Sequence, residues 1–173
     1  LGLAVGHTTW LTAAWAFGAL VGLAYTARRL KAGSNPYQLM ASSVFVGLLA
    51  FPAVIFSAPL GSTILFFIGA FLIGLGSGLF AVSTLIAAML LGQNKETSHG
   101  LALGAWGASQ ATSAGIAIAL GGSLRDWINT LAMRGDFGQT LATPATGYSF
   151  VYHLEIAVLI VTLAILVPLV RMA

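Results

Sequence analysis

Three ionisable side chains lie inside apolar sequence, where a group able to move a proton or hold a metal is conspicuous. Glu155 sits about two turns into the run GYSFVYHLEIAVLI. A carboxylate in a membrane span is rare, usually faces the bundle interior and marks a functional position by default. The plainer reading is a protonated or hydrogen-bonded structural Glu near an interface. His153 precedes Glu155 by two residues, so on a helix the two point to nearly opposite sides. His7 lies in AVGHTTW and His99 opens a later apolar run. A neutral imidazole can ligate a metal, whereas the plainer role is hydrogen bonding at the interface. No HxxE, HExxH or paired-carboxylate spacing occurs, so a metal-enzyme site is not expected and the chain reads as a non-enzyme.

A second group is polar but uncharged. Gln110, with Ser109, Thr112 and Ser113, interrupts GLALGAWGASQATSAGIAIALGGSLRD (100–126). Such side chains either bond across helices or line a pathway. Around them Gly107, Ala111, Gly115 and Ala119 recur every four residues, as do Gly100, Gly104 and Ala108. That spacing predicts a helix packed closely on several sides. Ala14, Gly18 and Gly22, and again Ala70, Gly74 and Gly78, repeat the pattern. Close packing is the plain reading there, with a gating point or a flat wall for a planar ligand as the alternative. Arg28, Arg29 and Lys31, followed by Gly33, Ser34, Asn35 and Pro36, form a basic turn that anchors topology and attracts anionic lipid. A gating network would need an acid nearby, and Glu96 is the candidate.

The elements that position these residues follow from composition. The 173-residue chain is 58% hydrophobic and only 6% charged, with mean hydropathy +0.97, against roughly a quarter charged residues in soluble domains. It is therefore an integral membrane protein. Its net charge of +3 comes from only seven Lys and Arg, without a basic patch interleaved with aromatics, and nucleic-acid binding is excluded. Cysteine is absent, which removes disulfides and thiolate chemistry. Leu1 already borders an apolar run, and with no basic stretch before it this run does not read as a signal peptide. The chain reads as a fragment.

Hydropathy predicts five apolar helices near 3–27, 38–58, 61–92, 99–123 and 148–170, each long enough to span. The third exceeds a bilayer's needs, which predicts tilt, a kink near Gly74–Gly78 or a protruding end. Trp127, Ile128 and Leu131 within the 124–147 connection predict a short interfacial helix followed by a loop. Arg28, Arg29, Lys31, Lys95 and Arg171 all fall on one side of a five-span bundle, and Arg125 and Arg134 fall on the other, each close to an acid (Asp126, Asp136). The positive-inside rule places the first side in the cytoplasm, so residue 1 starts outside and residue 173 ends inside. Five spans in that orientation are what remains of a six-helix transporter half without its first helix.

The strings GLALGAWGASQATSAGIAIALGGSLRD and PATGYSFVYHLEIAVL resemble the C-terminal region of the PucC/LhaA proteins, the bacteriochlorophyll-delivery branch of the major facilitator superfamily. LGLAVGHTTWLTAAWAFGALVGLA, SAPLGSTILFFIGAFLIGLGSGLFAVSTLIAAM and the ARRLKAGSNPYQ turn are similar to the same family, so the likeness covers nearly the whole chain. The resemblance implies an all-α membrane fold in which these are helices eight to twelve of twelve, in the inner or photosynthetic membrane of a phototrophic bacterium. It implies an assembly factor for light-harvesting complexes, LH1 or LH2, that handles bacteriochlorophyll and passes it to antenna polypeptides. Reaction centre, carotenoid and membrane lipid are the further expected associates. His7 and His153 lie within family-like strings and are the expected pigment ligands through the chlorin magnesium; Glu155 and Gln110 are the expected pathway residues. The competing readings are a proton-coupled transporter of a small solute, working through Glu155, and a permanent structural subunit of a reaction centre–antenna complex.

Overall fold

The computed structural model describes residues 5–91 and 98–172, and every long element in it is a helix. They are α1 (Val5–Lys31), α2 (Pro36–Ser57), α3 (Thr63–Leu91), α4 (His99–Arg134) and α5 (Thr146–Met172), with a 3-10 turn at Gln139–Leu141 before α5. Lys95 and Glu96 lie outside the described residues.

Local sequence sets the helix ends. At the end of α1, Gly33 adopts φ +85°. Its N–H donates to Leu30 O at 3.0 Å, while that of Ser34 reaches Arg29 O at 3.0 Å. A left-handed residue closing the last turn in this way is the usual place for glycine. Pro36 then occupies the first position of α2, and Asn35 caps it by accepting the Tyr37 N–H at 2.8 Å, a combination that leaves few orphan donors.

α1 and α3 pack through facing glycines. A Cβ at Gly18 or Gly22 would collide with the Phe71 or Leu75 carbonyl oxygen, and one at Gly74 or Gly78 with that of Trp15 or Ala19. Both small-residue strips therefore serve close packing, with backbones meeting where side chains are missing. Thr26, one turn beyond Gly22, and Ser83 on α3 are fully buried. Phe17 and Phe71 stack beside this seam with centroids 6.0 Å apart. α3 is an unbroken helical assignment through Gly74–Gly78.

α2 lies against α3 and α5. Met40, Val44, Ala87 and Leu166 form a buried cluster, covered by Tyr37, Phe80, Leu159 and Leu163. This contact joins the start of α2 to the ends of α3 and α5, so successive helices alternate in direction. The basic end of α1 and Arg171 thus share one end of the bundle.

Four helices, Gly6–Lys31, Pro36–Ser57, Thr63–Leu90 and Thr146–Arg171, are long and apolar enough to cross a membrane. α4 is long enough, but its Gly, Ala, Ser and Thr content leaves it less apolar than α2, α3 and α5. It also differs from expectation in two ways. First, it does not stop near residue 123 and restart as an interfacial helix, but runs unbroken through Arg134. No proline intervenes, and Ile128 and Ala132 are buried beyond the expected end. Gly135 (φ +87°) ends it, its N–H reaching Ala132 O at 2.9 Å and that of Asp136 reaching Leu131 O at 3.2 Å, a Schellman closure. Second, it is not enclosed on several sides. Every residue from Ala108 to Leu120 is exposed, and nothing lies within 4 Å of a Cβ built at Gly104, Gly107 or Gly115. Its contacts within the chain are at its two ends.

Candidate functional site

The expected ligands gather at the end of the bundle opposite the basic turn. There the first half of α1, the end of α2, the start of α3 and the start of α5 line an open apolar depression of about 260 Å³. Leu11, Thr12 and Trp15 line it from α1, Val54 from α2 and Tyr152 from α5. His7 lies one turn before Leu11 on the same strip of α1 and is exposed. His153 follows Tyr152 and is also exposed. The structure therefore brings both histidine turns to one end of the bundle, and no contact among the described residues joins the two imidazoles.

The His153 ring is anchored on its own helix. Its Nδ1 lies 2.7 Å from the Ser149 carbonyl oxygen on the preceding turn of α5. A carbonyl oxygen only accepts, so Nδ1 carries the hydrogen and the neutral ring keeps its lone pair on Nε2. A backbone carbonyl holding one ring nitrogen, with the other free and exposed, is the arrangement that orients metal-ligating histidines. Nε2 of His153 is thus a single nitrogen donor available to a metal.

Tyr152 and its neighbours form a chain that sequence reading does not single out. The Tyr152 ring lies 5.9 Å from that of Phe51 and 6.5 Å from that of Tyr148. Arg125 of α4 donates from Nη1 to the Tyr148 hydroxyl at 2.8 Å, and its guanidinium carbon is 5.0 Å from the Tyr148 ring centre. Arg125 Nε also bonds Asp126 Oδ1 at 2.9 Å. The adjacent Asp126 carboxylate, and then Tyr148, make the Arg125 guanidinium hold its proton more firmly than usual. Gly147 packs on Arg125 and Asn129, where an added Cβ would stand 3.2 Å from that of Asn129. These contacts fasten the far end of α4 to α5, and the four-residue spacing of Tyr148 and Tyr152 was their only sequence signal.

The near end of α4 is held by Trp106, whose Nε1 donates to Thr84 Oγ1 of α3 at 3.1 Å. Between these two fastenings, Ser109, Gln110, Thr112 and Ser113 are exposed and make no side-chain hydrogen bond among the described residues. Glu155 is half-buried on α5 and forms no ion pair among the described residues; the ion pair that is present joins Arg125 and Asp126. Arg28, Arg29 and Lys31 are exposed at the opposite end of the bundle.

Long apolar helices packed through glycine seams define an all-α, membrane-embedded protein. The chain belongs to the PucC protein family, whose sequence model matches residues 1–173. It is 52% identical over 171 residues to an uncharacterized protein in the puhA-bchM intergenic region of Rhodobacter capsulatus, a match covering 99% of this chain and 35% of that protein. Protein PucC of Rhodovulum sulfidophilum is 48% identical over 126 residues, covering 73% of this chain and 27% of the relative. Protein PucC of Rhodobacter capsulatus is 40% identical over 173 residues, covering 99% of this chain and 36% of the relative. The chain thus spans about a third of the length of these relatives. No solved structure matches it.

Proposed function

We propose that this chain is the C-terminal membrane portion of an assembly factor for bacterial light-harvesting complexes, LH1 or LH2. In this reading the protein binds or delivers bacteriochlorophyll to antenna polypeptides and docks on the photosynthetic complex. Family membership supports the photosynthetic setting. The observation that carries the pigment role is the His153 imidazole, pinned through Nδ1 to Ser149 O with Nε2 exposed. Bacteriochlorophyll, when bound, would supply a magnesium ion able to take a nitrogen ligand. His153 would hold it through Nε2, and His7 stands at the same end of the bundle for a second contact. The depression beside Tyr152, at about 260 Å³, is smaller than the roughly 300–1,000 Å³ of ordinary ligand pockets. It suits part of a ligand, such as an isoprenoid tail, rather than a whole macrocycle.

The alternating helix directions and the basic residues at one end support a topology with the start of α1 periplasmic and the end of α5 cytoplasmic. In the same reading the helices are the eighth to twelfth of a major facilitator fold. The uncovered stretch Ala108–Leu120, which includes Gln110, then faces the remainder of the longer protein. Scarce membrane charge weighs against a proton-coupled carrier, since polar solutes and protons usually need several buried ionisable groups.

The test is an absorption spectrum of the full-length protein purified from phototrophic membranes. A near-infrared pigment band that copurifies at a fixed ratio to protein is expected. A protein without pigment, which takes up a polar solute and loses that uptake on Glu155→Gln, would overturn the proposal.

A further inference from the structure

A second concavity lies at the basic end of the bundle, far from the histidines. It is a groove of about 490 Å³ between α1, α2 and α3, within the usual range for small-ligand sites. Its lining changes character along its length. Tyr25, Arg29, Ser34, Gln38 and Ser42 supply polar groups, while Val21, Leu39, Val46, Leu75 and Leu79 supply an apolar wall. On α1 the polar residues lie towards the C-terminal end and Val21 lies deeper. Arg29 and Val21 are eight residues apart, which is about 12 Å along the helix axis.

The polar end is positively charged. Among the described residues Arg29 has no acidic partner, since the ion pair present is at Arg125 and Asp126. Arg28 and Lys31 flank it with the same sign. The side chains of Tyr25, Ser34 and Gln38 make no hydrogen bond among the described residues, so their donors are free. Ser42 donates to Gln38 O at 2.9 Å, leaving its oxygen as an acceptor. The groove is fixed by backbone closure, because Ser34 N–H bonds Arg29 O and Asn35 caps α2.

We propose that this groove is a binding site for an anionic phospholipid, with the phosphodiester held by Arg29, Ser34 and Gln38 and an acyl chain laid along Val21, Val46 and Leu75. The argument is charge complementarity joined to an amphipathic gradient. A free anion would use the polar end and gain nothing from the wall, and a zwitterionic lipid would bring its own cation against Arg28, Arg29 and Lys31. Basic pockets between membrane helices on the cytoplasmic side are the usual seats of such head groups. The site is separate from the pigment reading and does not depend on it.

The experiment reconstitutes the full-length protein in nanodiscs containing phosphatidylglycerol and phosphatidylcholine, extracts it gently, and counts retained lipid by native mass spectrometry. One phosphatidylglycerol retained in preference to phosphatidylcholine is expected. Arg29→Ala should reduce that retention about tenfold, Arg29→Lys should restore much of it, and Lys31→Ala, which removes the same charge outside the groove, should change it less than about twofold. Equal retention of both lipids, or equal loss in Arg29→Ala and Lys31→Ala, would overturn the site. Displacement of the lipid by inorganic phosphate would overturn the lipid assignment in favour of a simple anion site.

Discussion

Gly74 lies so close to the carbonyl oxygen of Trp15 that no Cβ fits between them. The same holds between Gly18 and Phe71 one turn along the seam, so α1 and α3 touch backbone to backbone. Gly74→Val should therefore force the helices apart and destabilise the protein by about 1–3 kcal/mol, the usual range for overpacking. Chemical unfolding in detergent would measure it. A change within about 0.5 kcal/mol, the range of an ordinary surface substitution, would refute the seam.

Trp106 and Thr84 offer a more local test. Trp106→Phe keeps an aromatic ring and deletes the Nε1 donor to Thr84 Oγ1. A double-mutant cycle with Thr84→Val should give a coupling of about 0.6 kcal/mol, the average for interhelical hydrogen bonds in membranes. Zero coupling would show that α4 is not held to α3 by this bond.

The chain has no cysteine, so single introduced thiols report topology without background. Ser34→Cys should react with an impermeant maleimide only from the cytoplasmic face, and Thr143→Cys only from the opposite face. Labelling of both from one side would contradict the alternating helix directions.

Much of the fold was legible because membrane helices announce themselves by hydropathy, and because Gly18, Gly22, Gly74 and Gly78 repeat at the spacing of one helix face. α4 was legible as a helix and misread in its surroundings. Its small residues encode the capacity for close approach, but not which partner approaches, and within this chain none covers Ala108–Leu120. Its far end lies beyond the expected boundary near 123, because packing of Gly147 on Arg125 and Asn129 carries the helix on to Arg134. At the site, His7, His153 and Glu155 stood out as polar groups in apolar sequence. The Arg125–Tyr148–Tyr152–Phe51 chain did not, because it is assembled from three helices and no single segment carries it.

In the proposed role His153 offers Nε2 to a pigment while Ser149 O holds Nδ1. The most direct measurement is the pigment-to-protein ratio, read from near-infrared absorption of the full-length protein purified from phototrophic membranes, for wild type, His153→Ala and His7→Ala. His153→Ala should lose most of the bound pigment while helix content by circular dichroism is unchanged, and His7→Ala should lose less. Full pigment retention in both variants would contradict that role.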